Sequence, residues 1–70
     1  MNGPAIIFET REYRSSHLRE PRGRGSWAFR HLDETIWSPS MTYGEAKRWA
    51  RAEWQARRPT AGTIIVYVLP

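Results

Sequence analysis

Two histidines, seven carboxylates and five serines are the residues of this 70-residue chain that could move a proton or attack a carbonyl. Their spacing does not equip them for it. His17 lies in a polar stretch and His31 in an alternating apolar one, and neither has the neighbouring carboxylate of an acid–base pair. Ser15, Ser16, Ser26, Ser38 and Ser40 lack the strand–turn–helix context of a nucleophile elbow. Arg22-Gly23-Arg24-Gly25 does not continue as a dinucleotide fingerprint and follows no strand. Cysteine is absent, which removes disulfides and thiolate zinc sites, and two histidines without a third good ligand do not make a metal site. The expectation is a chain without catalysis, metal or cofactor.

The chemistry on offer is that of cations. Lys and Arg number 11 against 7 Asp and Glu, for a net charge of +4, and ten of the 11 are arginine. The planar guanidinium suits phosphate, carboxylate and aromatic faces. At about 100° per residue, Lys47, Arg48, Arg51, Gln55 and Arg58 cluster on one side of a predicted helix. No acid lies among them, and Glu45 and Glu53 flank the edges. Lys47 and Arg51 form an i,i+4 like-charge pair that costs a few tenths of a kcal/mol; a helix built only for its own stability would interleave glutamate there. The second cluster is Arg19, Arg22 and Arg24 in the run Arg19-Glu20-Pro21-Arg22-Gly23-Arg24-Gly25. Arginine alternating with glycine gives adaptable cations that follow a phosphate backbone or order on a partner. These seven cations are the expected binding residues.

The elements that must position them follow from pattern. Ala5–Tyr13 alternates as a strand. Arg14–Gly25, with Pro21, Gly23 and Gly25, reads as a long loop. Ser26–Leu32 is a second strand, Asp33-Glu34 a turn, and Thr35–Trp37 a short third strand that Pro39 stops. Thr42 and Glu45 have the spacing of a capping box, so a helix runs from Tyr43 to about Arg58, ended by Pro59 and Gly62. Tyr43, Ala46, Ala50 and Trp54 should face the sheet, with Trp49 at the flank. Thr63–Leu69, β-branched and uncharged, is the strongest strand. The fold class is α+β in one domain spanning 1–70. It is a small antiparallel sheet of three to four strands with one helix on one face, in the order β-β-(short β)-α-β.

One helix cannot cover both sides of such a sheet. Ile64, Val66 and Val68 compete with Ile65, Tyr67 and Leu69, and Ile7 opposes Ile6 and Phe8. The uncovered face is expected either to serve as an interface, a homodimer being the simplest, or to be closed by Tyr13, Arg30 and the loops. No run approaches the roughly 18 apolar residues of a membrane span, and no basic-then-apolar leader is present. A cytoplasmic protein without a membrane partner is expected.

Two resemblances accompany this reading. Gly25-Ser26-Trp27-Ala28-Phe29-Arg30, then Met41-Thr42-Tyr43-Gly44-Glu45-Ala46 leading to Trp49-Ala50, resembles the arm-DNA-binding domains of phage integrases. That family has three strands followed by a helix and reads the major groove with its sheet; the strand Thr63–Leu69 departs from its pattern. Ser26-Trp27-Ala28, Thr42, Glu45-Ala46, Ala52-Glu53-Trp54-Gln55, Pro59, Ala61-Gly62 and a closing strand ending in Pro70 are similar to the small RNA-polymerase inhibitors of T7-like phages. The resemblance covers residues 26–70. It implies a β-β-α-β fold and action by protein contact on a host enzyme. The helix of that family is acidic where this one is basic, so no binding residue transfers from it. Together these observations lead to a small non-catalytic binding protein of phage or mobile-element type. Its expected partner is a host protein or nucleoprotein machine that handles nucleic acid, which it inhibits or remodels. Direct DNA or RNA binding through the same cations is the alternative, and a homodimeric structural module a further one.

Overall fold

The computed structural model describes residues 3–70. The elements in chain order are β1 (Ala5–Glu9), α1 (Arg11–His17), β2 (Arg24–Gly25), β3 (Ala28–His31), β4 (Glu34–Trp37), β5 (Met41–Thr42), α2 (Tyr43–Arg57) and β6 (Thr63–Val68). This is the expected small α+β fold, with one main helix on a four-stranded sheet. A two-stranded ladder of β2 and β5 stands beside the sheet.

The sheet order is β1-β6-β3-β4. β3 pairs antiparallel with both β4 and β6, but β1 runs parallel to β6. The sheet is therefore mixed rather than purely antiparallel. Parallel neighbours need a long crossover between them, and here the crossover is the whole chain from α1 to α2. Residues 26–70 form the β-β-α-β unit, and β1 with α1 is laid onto the edge of β6. The register puts Ile6 beside Ile64 and Phe8 beside Val66 on one face, and Ile7 beside Ile65 on the other.

β1 stops at Glu9, where a strand to Tyr13 was expected, and a short helix replaces the start of the expected loop. The Glu9 carboxylate accepts from the Arg11 backbone N–H at 2.9 Å, and the Thr10 carbonyl accepts from the Arg14 N–H at 2.9 Å. The turn begins there and ends at Leu18, which is left-handed at φ 59. Tyr13 is the one buried residue of α1, so no apolar periodicity announces it. The β3–β4 turn falls at Leu32-Asp33, one residue before the expected position, because His31 pairs with Glu34.

α2 forms as expected. The Thr42 hydroxyl accepts from the Glu45 N–H at 3.2 Å, and the Glu45 carboxylate accepts from the Thr42 N–H at 3.0 Å, which satisfies two of the orphan donors of a helix start. Ala46, Ala50 and Trp54 are fully buried. The two alanines let the helix approach the sheet, and Trp54 fills the space over Phe29, Val66 and Val68 within the common core. At the other end of β1, Gly3 lies so near the helix that a Cβ there would sit 2.7 Å from the Gln55 Cβ. Gln55 donates to the Pro4 carbonyl at 3.1 Å. Gln55 thus ties β1 to α2, where the helical wheel put it on an open face.

The face opposite α2 is closed in part. Arg30 lies 4.9 Å from the Tyr67 ring centroid and pairs with Glu12 of α1 at 2.8 Å. Tyr13 is buried. Ile7, Ile65 and Trp37 stay open, Trp37 at 66% exposure.

Candidate anion-binding surface

The 11 Lys and Arg divide into two groups. Arg11 and Arg14 meet Glu9, Arg14 also meets Glu20, Arg30 meets Glu12, Arg57 meets Glu34 and Glu53, and Arg58 meets Glu34. Among the described residues the remaining six have no carboxylate at ion-pair distance: Arg19, Arg22, Arg24, Lys47, Arg48 and Arg51. These are six of the seven cations expected from the sequence. Arg58 is the exception. It donates to Glu34 at 2.8 Å, and its guanidinium lies 5.3 Å from the Trp54 ring centroid. The hydrogen bond from Arg58 holds the Glu34 carboxyl below its ordinary range, and the charge of Arg57 assists. Arg58 is therefore paired within the fold, which corrects its placement on an acid-free helix face.

On α2, Lys47 sits 5.3 Å from the Tyr43 ring centroid and Arg51 5.4 Å from that of Phe8. Their stems cover aromatic rings while their charges remain unmatched. Burial, aided by the charge of Glu20, pushes the Tyr43 hydroxyl up to about 12. Arg48 is exposed. Glu45, the acid nearest this face in sequence, is committed to the helix cap. The Thr42 backbone N–H, more than the charges of Arg24 and Arg48, keeps its pKa below the ordinary value.

The loop cations line a cleft of about 290 Å³. Its walls are aromatic: Tyr13, His17, Trp27 and Trp37 contribute along with Arg19, Arg22 and Arg24. Each wall has a local cause. Tyr13 and His17 are one helical turn apart and stack at 4.1 Å between centroids. Trp27 packs on Tyr13 at 5.5 Å and on Tyr43 at 5.0 Å, and its indole N–H donates to the Met41 carbonyl at 3.2 Å. The buried Ser38 hydroxyl accepts from the Trp27 N–H at 2.9 Å and donates to the Pro39 carbonyl. Ala28, the cross-strand neighbour of Trp37, is too small to cover the indole.

The loop is fastened to the helix. Arg24 pairs with Thr42 and Gly25 with Met41, Arg24 donates to the Ser40 carbonyl at 3.2 Å, and the Gly23 carbonyl accepts from the Tyr43 N–H at 3.0 Å. Gly23 has φ 95, a conformation that favours glycine. Loop and helix cations are thereby joined through one short ladder. The rings of Tyr13, Trp27 and Tyr43 run as a continuous spine from the cleft to Lys47.

The sequence reading missed the cleft. Its walls come from α1, β3 and β4, and no local pattern links them. One signal was readable: alternation with the buried Ile36 puts Trp37 on the face opposite the helix. Delocalised cations beside uncovered aromatic faces can hold anionic groups and flat rings; Ser26 and His17 also line the cleft, the Ser26 hydroxyl donating to the Ser38 carbonyl. His31 stands apart, its ring edge-on to Trp54 at 5.5 Å. Among the described residues no group of three His, Asp or Glu could hold a metal ion, and no helix is long and apolar enough to cross a membrane. No protein-family model, no curated protein and no solved structure matches the chain.

Proposed function

We propose that this protein is a non-catalytic binding module of the cytoplasm that acts on nucleic-acid-handling machinery by occupying a surface, and that its contact is with the nucleic acid itself. The observation that carries this reading is the set of six cations with no carboxylate partner, joined across the β2–β5 ladder. The chain has enough acids to neutralise more of them, yet spends two arginines on Glu34 alone. Unmatched surface charge of one sign attracts a polyanion, and the predominance of arginine favours the oxygens of phosphate. The test is a fluorescence-anisotropy titration with DNA and RNA strands over a range of salt. The expected result is binding at low salt, with an affinity that falls along a log–log slope of about −0.7 for each phosphate neutralised on a single strand.

A second reading is favoured by the exposed apolar residues. Trp37 suits a contact with a host protein of phage-inhibitor type, and Ile7 and Ile65, paired with each other on β1 and β6, suit a second copy. The likeness to polymerase inhibitors supports the scaffold more than the target. The residues that carry it include the cap (Thr42, Glu45) and core (Trp27, Ala46, Trp54) positions. No affinity for any strand at low salt would remove the nucleic-acid reading and leave the protein-directed one, which affinity capture from a host extract and mass measurement over concentration then address.

A further inference from the structure

We infer that the arginine-lined cleft takes a single unstacked nucleobase against Trp37, so that the protein prefers single strands to duplex. This rests on the nucleic-acid reading above and deepens it. Four aromatic rings elsewhere in the molecule already carry a cation. Arg30 lies over Tyr67, Lys47 over Tyr43, Arg51 over Phe8, and Arg57 and Arg58 over Trp54. Trp37 has neither a cation nor a ring partner among the described residues, and it is 66% exposed. Of the four tryptophans Trp37 alone is exposed, Trp27 and Trp54 being buried and Trp49 partly so, and it stands in the cleft where three arginines without carboxylate partners gather.

The geometry selects the ligand. A flat π-face beside Arg19, Arg22 and Arg24 fits a group that is planar at one end and anionic at the other, which describes a nucleotide within a strand. Within a duplex both faces of each base are covered by neighbours, and only a base released from the stack can lie on a tryptophan. The cleft, at about 290 Å³, stands at the small end of ligand pockets, which favours one base over several. An acidic peptide would engage the arginines through carboxylates, but nowhere along its backbone does one repeating unit join anion and ring, as every residue of a nucleic-acid strand does.

The experiment compares three labelled probes with equal numbers of phosphates at low salt: a single strand, a duplex of half its length, and a strand of abasic sites. The wild-type protein should bind the single strand most tightly. Trp37→Ala should weaken single-strand binding roughly 5- to 150-fold while leaving duplex and abasic affinities unchanged, and Trp37→Phe should restore most of the loss. Circular dichroism of the variants establishes that the fold is intact. If Trp37→Ala leaves the single-strand affinity unchanged, the base-binding role is overturned while the salt-dependent phosphate contact stands. Equal wild-type affinity for the base-bearing and abasic strands overturns it in the same way. If no probe binds, this inference and the reading beneath it both fall.

Discussion

The two ends of helix α2 treat positive charge in opposite ways. At its C-terminal end Arg57 and Arg58 share Glu34 of β4, lie near the Trp54 ring, and serve the fold. Toward its N-terminal half Lys47, Arg48 and Arg51 find no acid among the described residues. The same residue types thus do two jobs within 15 residues. Composition cannot tell them apart; the position of one glutamate on a distant strand does. Charge at the C-terminal end is consumed internally, while charge at the N-terminal end, joined to the loop by β2 and β5, is left for a partner.

The comparison can be broken most forcefully at Trp54. It is fully buried, and truncating such an indole to alanine costs about 3–5 kcal/mol, a large part of the stability of a small domain. Trp54→Ala should unfold much of the population in a urea titration. Retention of the wild-type midpoint would mean that the paired end is not structural.

Next in size is the replacement of Arg19, Arg22 and Arg48 together by glutamine. The salt slope for a single strand should become shallower by about two, with marked loss of affinity at low salt. The urea midpoint should scarcely move, because exposed substitutions of this kind stay within about 0.5 kcal/mol each. A large loss of stability would show that the two ends are not divided in function.

The smallest effect sharpens the comparison through pH. Glu34 titrates below its ordinary 4.5 in the folded protein. Its contribution is therefore fully present above that value and is lost as pH falls through the lowered one. Glu34→Gln should lower Tm modestly at neutral pH and shrink the difference from wild type in acid. A difference that grew on acidification would contradict the assignment. Nucleic-acid binding at neutral pH should be unaffected.

What was legible in the sequence was local. Thr42 and Glu45 declare the helix start within four residues, and Thr63–Val68 declares itself by β-branching. Six of the seven cations expected on the surface have no carboxylate at ion-pair distance among the described residues, as the local run of charges suggested. Most of the misreadings are long-range. Arg58 was misplaced because its partner lies 24 residues away in Glu34. Gln55 was misplaced because Pro4 lies 51 residues away. The parallel pairing of β1 escaped notice because the alternation of Ala5–Glu9 is the same whichever direction its neighbour runs. Helix α1 escaped because Tyr13 alone anchors it.

That parallel pairing also constrains the order of events in folding. β6 comes last among the elements in sequence but lies between β1 and β3 in the sheet. The pairing of Ala5 with Thr63 closes a loop of most of the chain, and such closure slows folding more than it weakens the folded state. On a ribosome β1, the β3–β4 hairpin and α2 all emerge before β6, with their apolar faces lacking a central strand. The sheet is completed only when β6 is inserted, and any truncation before Thr63 takes out its middle rather than its edge.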